Sequence, residues 1–429
     1  MPSFGKHVSR CSSLEAVTLD GCLITMSTSI ADSTLPPYIV EFLKREFGEE
    51  IIKHGRVQEV KSAQQQVWIL SDVPSSEAWN NAIDVGNHRL VARRWKGASR
   101  WWNLNNHHPD EVCAVALAEL AGYRLAHTAL ASQNTLHIPE LLHSAFNDAS
   151  PWAIFTYVGP FSSYFTKSKL PDSFWIDSMV KYRQEFGFEE SHPRWGRVPS
   201  ERALEYATEL LSTVTIPLHR YINKHRDVLD WSSLCKDTEG ITFQDMVSFY
   251  KCAQERMMGN PQDVAKATML VHVLSECIEK LRLESLSVHR IPHVLCHMDC
   301  QPQNLVFFKE ERNSPKIMSV LDWEDAAYAD PRFELLLLAR KVCANREQAE
   351  TLWKAYQDKL MVDLGNIEPW LKLETVHSLS TLILQRMNLL GGGRNPWETI
   401  PDLDKKIRRE FARLVFMGWE FCKDVATEH

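Results

Sequence analysis

From Pro36 the run Pro-Pro-Tyr-Ile-Val-Glu-Phe-Leu-Lys-Arg-Glu-Phe sets apolar residues at helical spacing behind proline, which predicts a helix. Three β-type stretches follow: Gly55–Lys61 and Gln66–Val73, read as a hairpin around Ser62–Gln65, and then His88–Trp95. Across Asp110–Ala131, Val112, Val115, Leu117, Leu120 and Leu125 fall near one helical face, with Pro109 and Asp110 at the start. Ile138–Ser144 and Trp152–Val158 supply two more short strands, so the order is β-β-β-α-β-β. Beyond Gly159-Pro160 the spacing turns helical over Arg202–Asn223, Phe243–Met258, Pro261–Leu283, Arg346–Leu364, Trp370–Leu390 and Asp402–Lys423. Two apolar strands, Leu305–Phe308 and Ile317–Leu321, are embedded among these helices. Residues 1–34 are rich in Ser and Thr and lack periodicity, which predicts a flexible tail. The expectation is an α+β fold: a small mostly-β N-lobe over 35–158 and a large mostly-helical C-lobe over 159–429.

A length of 429 residues suits two lobes rather than one small core. With 44% hydrophobic and 24% charged residues the composition is that of an ordinary globular protein. The net charge of −7 gives no general attraction for nucleic acid or acidic lipid, so neither is expected as a partner. The longest aliphatic run, Leu335–Ala339, is far shorter than a membrane span. Ten scattered cysteines form no disulfide framework, which points to a reducing interior and makes the cytoplasm the default location. His293, Cys296, His297 and Cys300 are soft-metal ligand types, but no second separated pair completes a zinc set. No Gly-x-Ser-x-Gly or His-Glu-x-x-His occurs to support a hydrolase or metalloprotease.

The candidate chemistry concentrates between Val294 and Asp322. An apolar strand leads into His297-x-Asp299; after four intervening residues Asn304 opens another strand, and eighteen positions on Asp322 stands at a strand end. Phosphoryl transfer needs such a set, because the spread negative charge of the moving group must be positioned and neutralised, largely through Mg²⁺. Mg²⁺ takes oxygen ligands, typically one or two from protein. Asn304 and Asp322 offer those oxygens, and Asp299 is placed to accept the proton of an attacking hydroxyl.

The spacing matches the catalytic set of protein kinases. The segments His-Met-Asp-Cys-Gln-Pro-Gln-Asn-Leu-Val and Val-Leu-Asp-Trp-Glu-Asp-Ala-Ala-Tyr-Ala-Asp-Pro-Arg-Phe-Glu-Leu resemble more closely the aminoglycoside phosphotransferase and choline kinase-like family, strongly over about residues 290–340 and more weakly over 50–160. The resemblance implies a bilobal protein kinase-like fold, ATP and Mg²⁺ as cofactors, and transfer of the γ-phosphate to a hydroxyl of a small molecule such as an amino sugar or amino alcohol. By it, Asp299 is the catalytic base, Asn304 and Asp322 are the metal ligands, His297 is structural, and Asp330 and Glu334 brace the segment after the metal aspartate. Leu90-Val-Ala-Arg-Arg94 resembles the strand whose basic residue contacts nucleotide phosphates; Arg93 fits, with Arg94 one residue out of register. Glu119 is its implied acidic partner and Glu111 the competitor, while Phe155 to Tyr157 would meet adenine.

Two stretches depart from that pattern, and a third offers no rival phosphate site. Ser62-Ala-Gln-Gln-Gln66 has no glycine to cover phosphates, Lys96–Asn105 is an insertion, and Gly391-Gly-Gly-Arg394 lacks the lysine of a phosphate-binding Walker loop. An inactive nucleotide-binding relative of the same fold therefore stays open as an alternative. A protein kinase does too, although neither Asp-Phe-Gly nor Ala-Pro-Glu is found.

Overall fold

A computed structural model describes residues 17–19, 22–24, 28–61, 65–74, 89–96, 109–130, 136, 138–146, 150–158, 201–229, 241–258, 264–300, 304–308, 316–342, 346–390 and 399–427. The hairpin tip 62–64, the insertion beyond Lys96, the Gly159-Pro160 boundary and the Gly391–Arg394 loop lie outside these residues. The chain divides into two compact units, Met1–Gly97 with Glu140–Ile176, and Ala98–Pro139 with Asp177–His429. The expected α+β division holds: one unit is built on a sheet and the other is mainly helical.

The first unit is built on an antiparallel sheet of β1 (Val17–Leu19), β2 (Cys22–Ile24), β3 (Thr28–Ser29), β4 (Arg56–Lys61), β5 (Gln65–Ser71), β6 (Leu90–Trp95), β7 (Leu141–Ala145) and β8 (Trp152–Thr156). The order is β1-β2-β4-β5-β6-β8-β7, with β3 also beside β4. The stretch expected as a tail thus contributes three short strands. Helix α1 (Pro37–Phe47) follows Pro36 and carries Ile39, Phe42, Leu43 and Phe47 on its buried face; α2 (Glu50–His54) adds Ile51. These side chains share one core with Val57, Leu70, Leu90, Ala92 and Ile154 of the sheet.

The second unit gathers α3 (Pro109–Leu130), α4 (Glu201–Leu210), α5 (Ile216–His225), α6 (Phe243–Met258) and α7 (Val264–Ser285). It continues with α8 (Pro331–Val342), α9 (Arg346–Leu360), α10 (Glu368–Leu390), α11 (Ile400–Phe416) and α12 (Lys423–Thr427). Helix α3, expected with the strands, groups with this unit. Arg202–Asn223 reads as one helix in sequence but contains a π-turn at Leu211–Thr215, with Ile216 N donating to Leu211 O. Pro217 explains the break: it has no N–H to give Thr213, and a widened turn relieves the clash of its ring with that carbonyl. The helix expected over Asp402–Lys423 stops at Phe416, because Gly418 turns the chain at φ +87°. No helix among the described residues is long and apolar enough to cross a membrane.

Two small ribbons lie among these helices. β9 (Val294–Cys296) pairs with β12 (Ala327–Ala329), and β10 (Leu305–Phe308) pairs with β11 (Lys316–Val320). They present the chemistry-bearing loops at their ends.

Candidate active site

The β9–β12 ribbon ends at His297, and the β10–β11 ribbon brings Asn304 beside the start of the Asp322 segment, where Leu321 N donates to Asn304 O at 2.8 Å. The Asn304 side chain reaches back across the loop. Its Nδ2 donates to Asp299 O at 2.9 Å and to Asp299 Oδ2 at 2.8 Å. The oxygen of that amide is therefore the atom left for a cation. His297 joins the two segments from below: Nδ1 accepts from Asp299 N at 3.3 Å, so Nε2 carries the proton it donates to Leu321 O at 2.8 Å. Burial pushes its pKa down to about 4, so the ring stays neutral and keeps one donor and one acceptor at neutral pH.

Two residues here adopt left-handed backbone: Met298 at φ +66° and Asp322 at φ +64°. Such a conformation costs an L-residue about 1–2 kcal/mol and must be held by its surroundings. Glu334, in the first turn of α8, holds the first: Oε2 accepts from Met298 N at 2.8 Å, and Oε1 accepts from Cys300 Sγ at 3.0 Å. Burial raises the pKa of this carboxyl, while its hydrogen bonds to Cys300 and Met298 pull the other way. The second is held from α3, where the Tyr123 hydroxyl accepts from Asp322 N at 2.9 Å.

Asp330 has a structural setting. It binds Arg332 in a two-point pair, Nε to Oδ1 at 2.9 Å and Nη2 to Oδ2 at 2.6 Å. Arg332 also donates to Leu364 O and His289 O and lies 4.3 Å over the Trp370 ring, so a fully buried cation is satisfied on every side.

The soft-metal types are dispersed. His293 stacks edge-on against Tyr328, Cys296 points at the carbonyls of Ala329 and Asp330, Cys300 bonds Glu334, and His297 bonds Leu321. Among the described residues no group of three or more His, Cys, Asp or Glu side chains is arranged to hold a metal. Asn304 and the half-buried Asp322 carry oxygen donors, an amide and a carboxylate, of the type that suits a hard cation.

The remaining candidates divide between the units. In β6, alternation puts Leu90, Ala92 and Arg94 towards α1, and Arg94 donates to Ser150 Oγ at 2.9 Å. Arg93 lies on the other face with its guanidinium 5.6 Å from the Trp95 ring centre, and is buried. Register places Arg93 opposite Val67 and Ala153, and Phe155 opposite Val91, so Arg93 and Phe155 share that face with half-buried Val67, Ile69 and Val91. Strand β8 ends at Thr156, and Tyr157 follows with Arg89 5.6 Å over its ring. Glu119 belongs to the second unit, in α3, where it is fully buried one turn before Tyr123. The side chain of Glu111 is not among those described. The bonds of Tyr123 and Cys300 have no counterpart in the sequence reading; the one signal for Tyr123 is its position one turn after Glu119.

Comparison with known proteins gives a family match over part of the chain and a likeness of fold. Residues 254–370 match the model of the family described as "Phosphotransferase enzyme family", a span that contains Asp299, Asn304 and Asp322. No curated protein sequence matches the chain. Among solved structures, the GDP and kanamycin complex of APH(2")-IIia is 12% identical with a TM-score of 0.52, covering 88% of this chain and 99% of its own. The Plasmodium vivax ethanolamine kinase Pv091845 is 10% identical with a TM-score of 0.44, covering 90% of this chain and 89% of its own. The fold likeness rests on the first of these.

Proposed function

We propose that this chain, whose residues 254–370 carry the phosphotransferase enzyme family's pattern, is an ATP- and Mg²⁺-dependent kinase that moves the γ-phosphate to a hydroxyl of a small molecule, an amino sugar or amino alcohol. One observation carries the reading. The Asn304 amide nitrogen fixes the carboxylate of Asp299, which leaves the amide oxygen for a cation. A proton acceptor and a cation ligand are thus set by the same side chain.

In this reading Asp299 is the base. Oδ2 is held by Asn304, and the carboxylate takes the proton of the acceptor hydroxyl as its oxygen bonds to phosphorus. Mg²⁺ held by Asn304 and Asp322 would supply neutralising charge for the phosphates. Neutral His297 keeps the Asp299 and Asp322 segments in register, because it bonds the main chain of both. Arg93 and Glu119 are assigned to the nucleotide's phosphates. The apolar face of Val67, Ile69, Val91 and Phe155 suits a purine ring, with Tyr157 where the chain leaves the sheet.

The test is a panel of amino sugars, amino alcohols and neutral polyols with ATP or GTP as donor, read by ³¹P NMR of the product. A phosphate ester formed only with Mg²⁺ and one acceptor class supports the reading. Nucleotide binding without any ester across the panel would favour an inactive nucleotide-binding relative.

A further inference from the structure

We infer that Tyr123 is a positioning residue for the metal-binding aspartate: through its hydroxyl, helix α3 sets the backbone of Asp322 and with it the Mg²⁺ affinity of the site. The inference rests on the phosphotransferase reading. Asp322 sits at φ +64°, a left-handed conformation that aspartate tolerates better than most residues but that its surroundings must still select. The Tyr123 hydroxyl accepts its N–H at 2.9 Å across 199 positions of sequence. Its neighbour on α3 shows how close the two elements are. A Cβ built on Gly122 would stand 3.0 Å from Ala326 Cβ and 3.1 Å from Trp323 Cβ, tighter than an ordinary contact, so the glycine lets the helix sit close against Trp323 and Ala326.

The contact continues inward. The Tyr123 ring lies 6.4 Å from Trp323, and Trp323 lies 4.5 Å from His297, which bonds both Asp299 N and Leu321 O. Both rings are buried, so a shift of α3 has no solvent-filled gap to absorb it. Glu119, one turn earlier on α3, is fully buried as well. One helix therefore carries an acidic residue assigned to the nucleotide and, a turn later, the hydroxyl that fixes the metal aspartate.

The experiment is Tyr123→Phe, which keeps the ring and removes the hydroxyl. Calorimetric titration with a non-hydrolysable ATP analogue is run in Mg²⁺ and in EDTA, alongside thermal unfolding. The expected result is unchanged binding in EDTA, a loss of about three- to tenfold in the Mg²⁺-dependent gain in affinity, and a near-unchanged Tm. An equal Mg²⁺ response in both proteins overturns the inference alone. Equal losses with and without Mg²⁺ make Tyr123 merely structural and overturn it too. If the wild-type protein gains nothing from Mg²⁺, the phosphotransferase reading falls and the inference with it. Should the variant not fold, hydrogen exchange of the wild-type Asp322 amide decides: protection is expected, and exchange at the rate of an open loop contradicts the bond.

Discussion

Asp322 and Asp330 stand eight positions apart in one segment, yet they have opposite surroundings. Asp330 is buried, and both its oxygens are taken by one arginine that is itself saturated by two carbonyls and a tryptophan face. Asp322 is half-buried, its backbone is held by Tyr123, and its segment is joined through Leu321 to Asn304 and His297. The difference teaches how one short segment can fix one carboxylate through its side chain and another through its backbone. In the first the protein grips the side chain and buries it; in the second it grips the main chain, at Asp322 N and at the neighbouring Leu321, and the residue stays only half-buried. Asp299 is intermediate, with Oδ2 bonded to Asn304 and its main chain held by His297 and Asn304.

The comparison is sharpest in two substitutions. Asp322→Asn keeps the shape and the tolerance of left-handed backbone but removes the charge. Steady-state assays are expected to show Mg²⁺-dependent turnover lower by about 10³-fold or more, with thermal unfolding near wild type. Arg332→Met strands a buried Asp330 carboxylate. Urea unfolding is expected to show a loss of about 3–5 kcal/mol, while any protein that remains folded retains its nucleotide affinity. A stable Arg332→Met or an unfolded Asp322→Asn would dissolve the distinction.

A smaller effect concerns His219, buried in α5 with Nδ1 bonded to the Tyr356 hydroxyl at 2.8 Å. Burial pushes its pKa down to about 3 from 6.5. The unfolded chain therefore binds a proton below pH 6.5 that the folded chain refuses until about pH 3, so this contribution to stability is complete above pH 6.5 and is lost as pH falls. By pH 5 the loss is about 2 kcal/mol. Urea unfolding at pH 7 and pH 5 should show a pH slope smaller by that amount in His219→Gln than in wild type. Parallel slopes would mean that the ring titrates normally.

Much of the site was legible because its residues are close in sequence: His297, Asp299, Asn304 and Asp322 lie within one run, and their spacing fits a loop between strands. Helix α1 was legible by its period; α3 was legible as a helix, but of the face read for it Leu117 is exposed and Leu125 only half-buried. Helix α8 was not, although Asp330-Pro331 marks its start. Residues 325–338 are buried without a break, so no polar stripe reveals the turn of the helix, and Leu335–Ala339 reads only as an apolar run. Strand β12 escaped notice for a different reason: three residues cannot show an alternation, and its partner β9 lies some thirty positions away. Strands β1 to β3 are equally short. Tyr123 was invisible because its bond to Asp322 is made by tertiary packing, which no local pattern encodes.

The central claim is that Asp299 takes the proton of the acceptor hydroxyl, and one variant tests it most directly. Asp299→Asn retains the shape and removes the base. Two numbers are needed on the same preparation: the dissociation constant for Mg·ATP, and the turnover rate with an acceptor found in the panel. Turnover is expected to fall by about 10²- to 10⁴-fold while the dissociation constant changes little, because the loss is confined to the reacting complex. Undiminished turnover in Asp299→Asn would contradict the account.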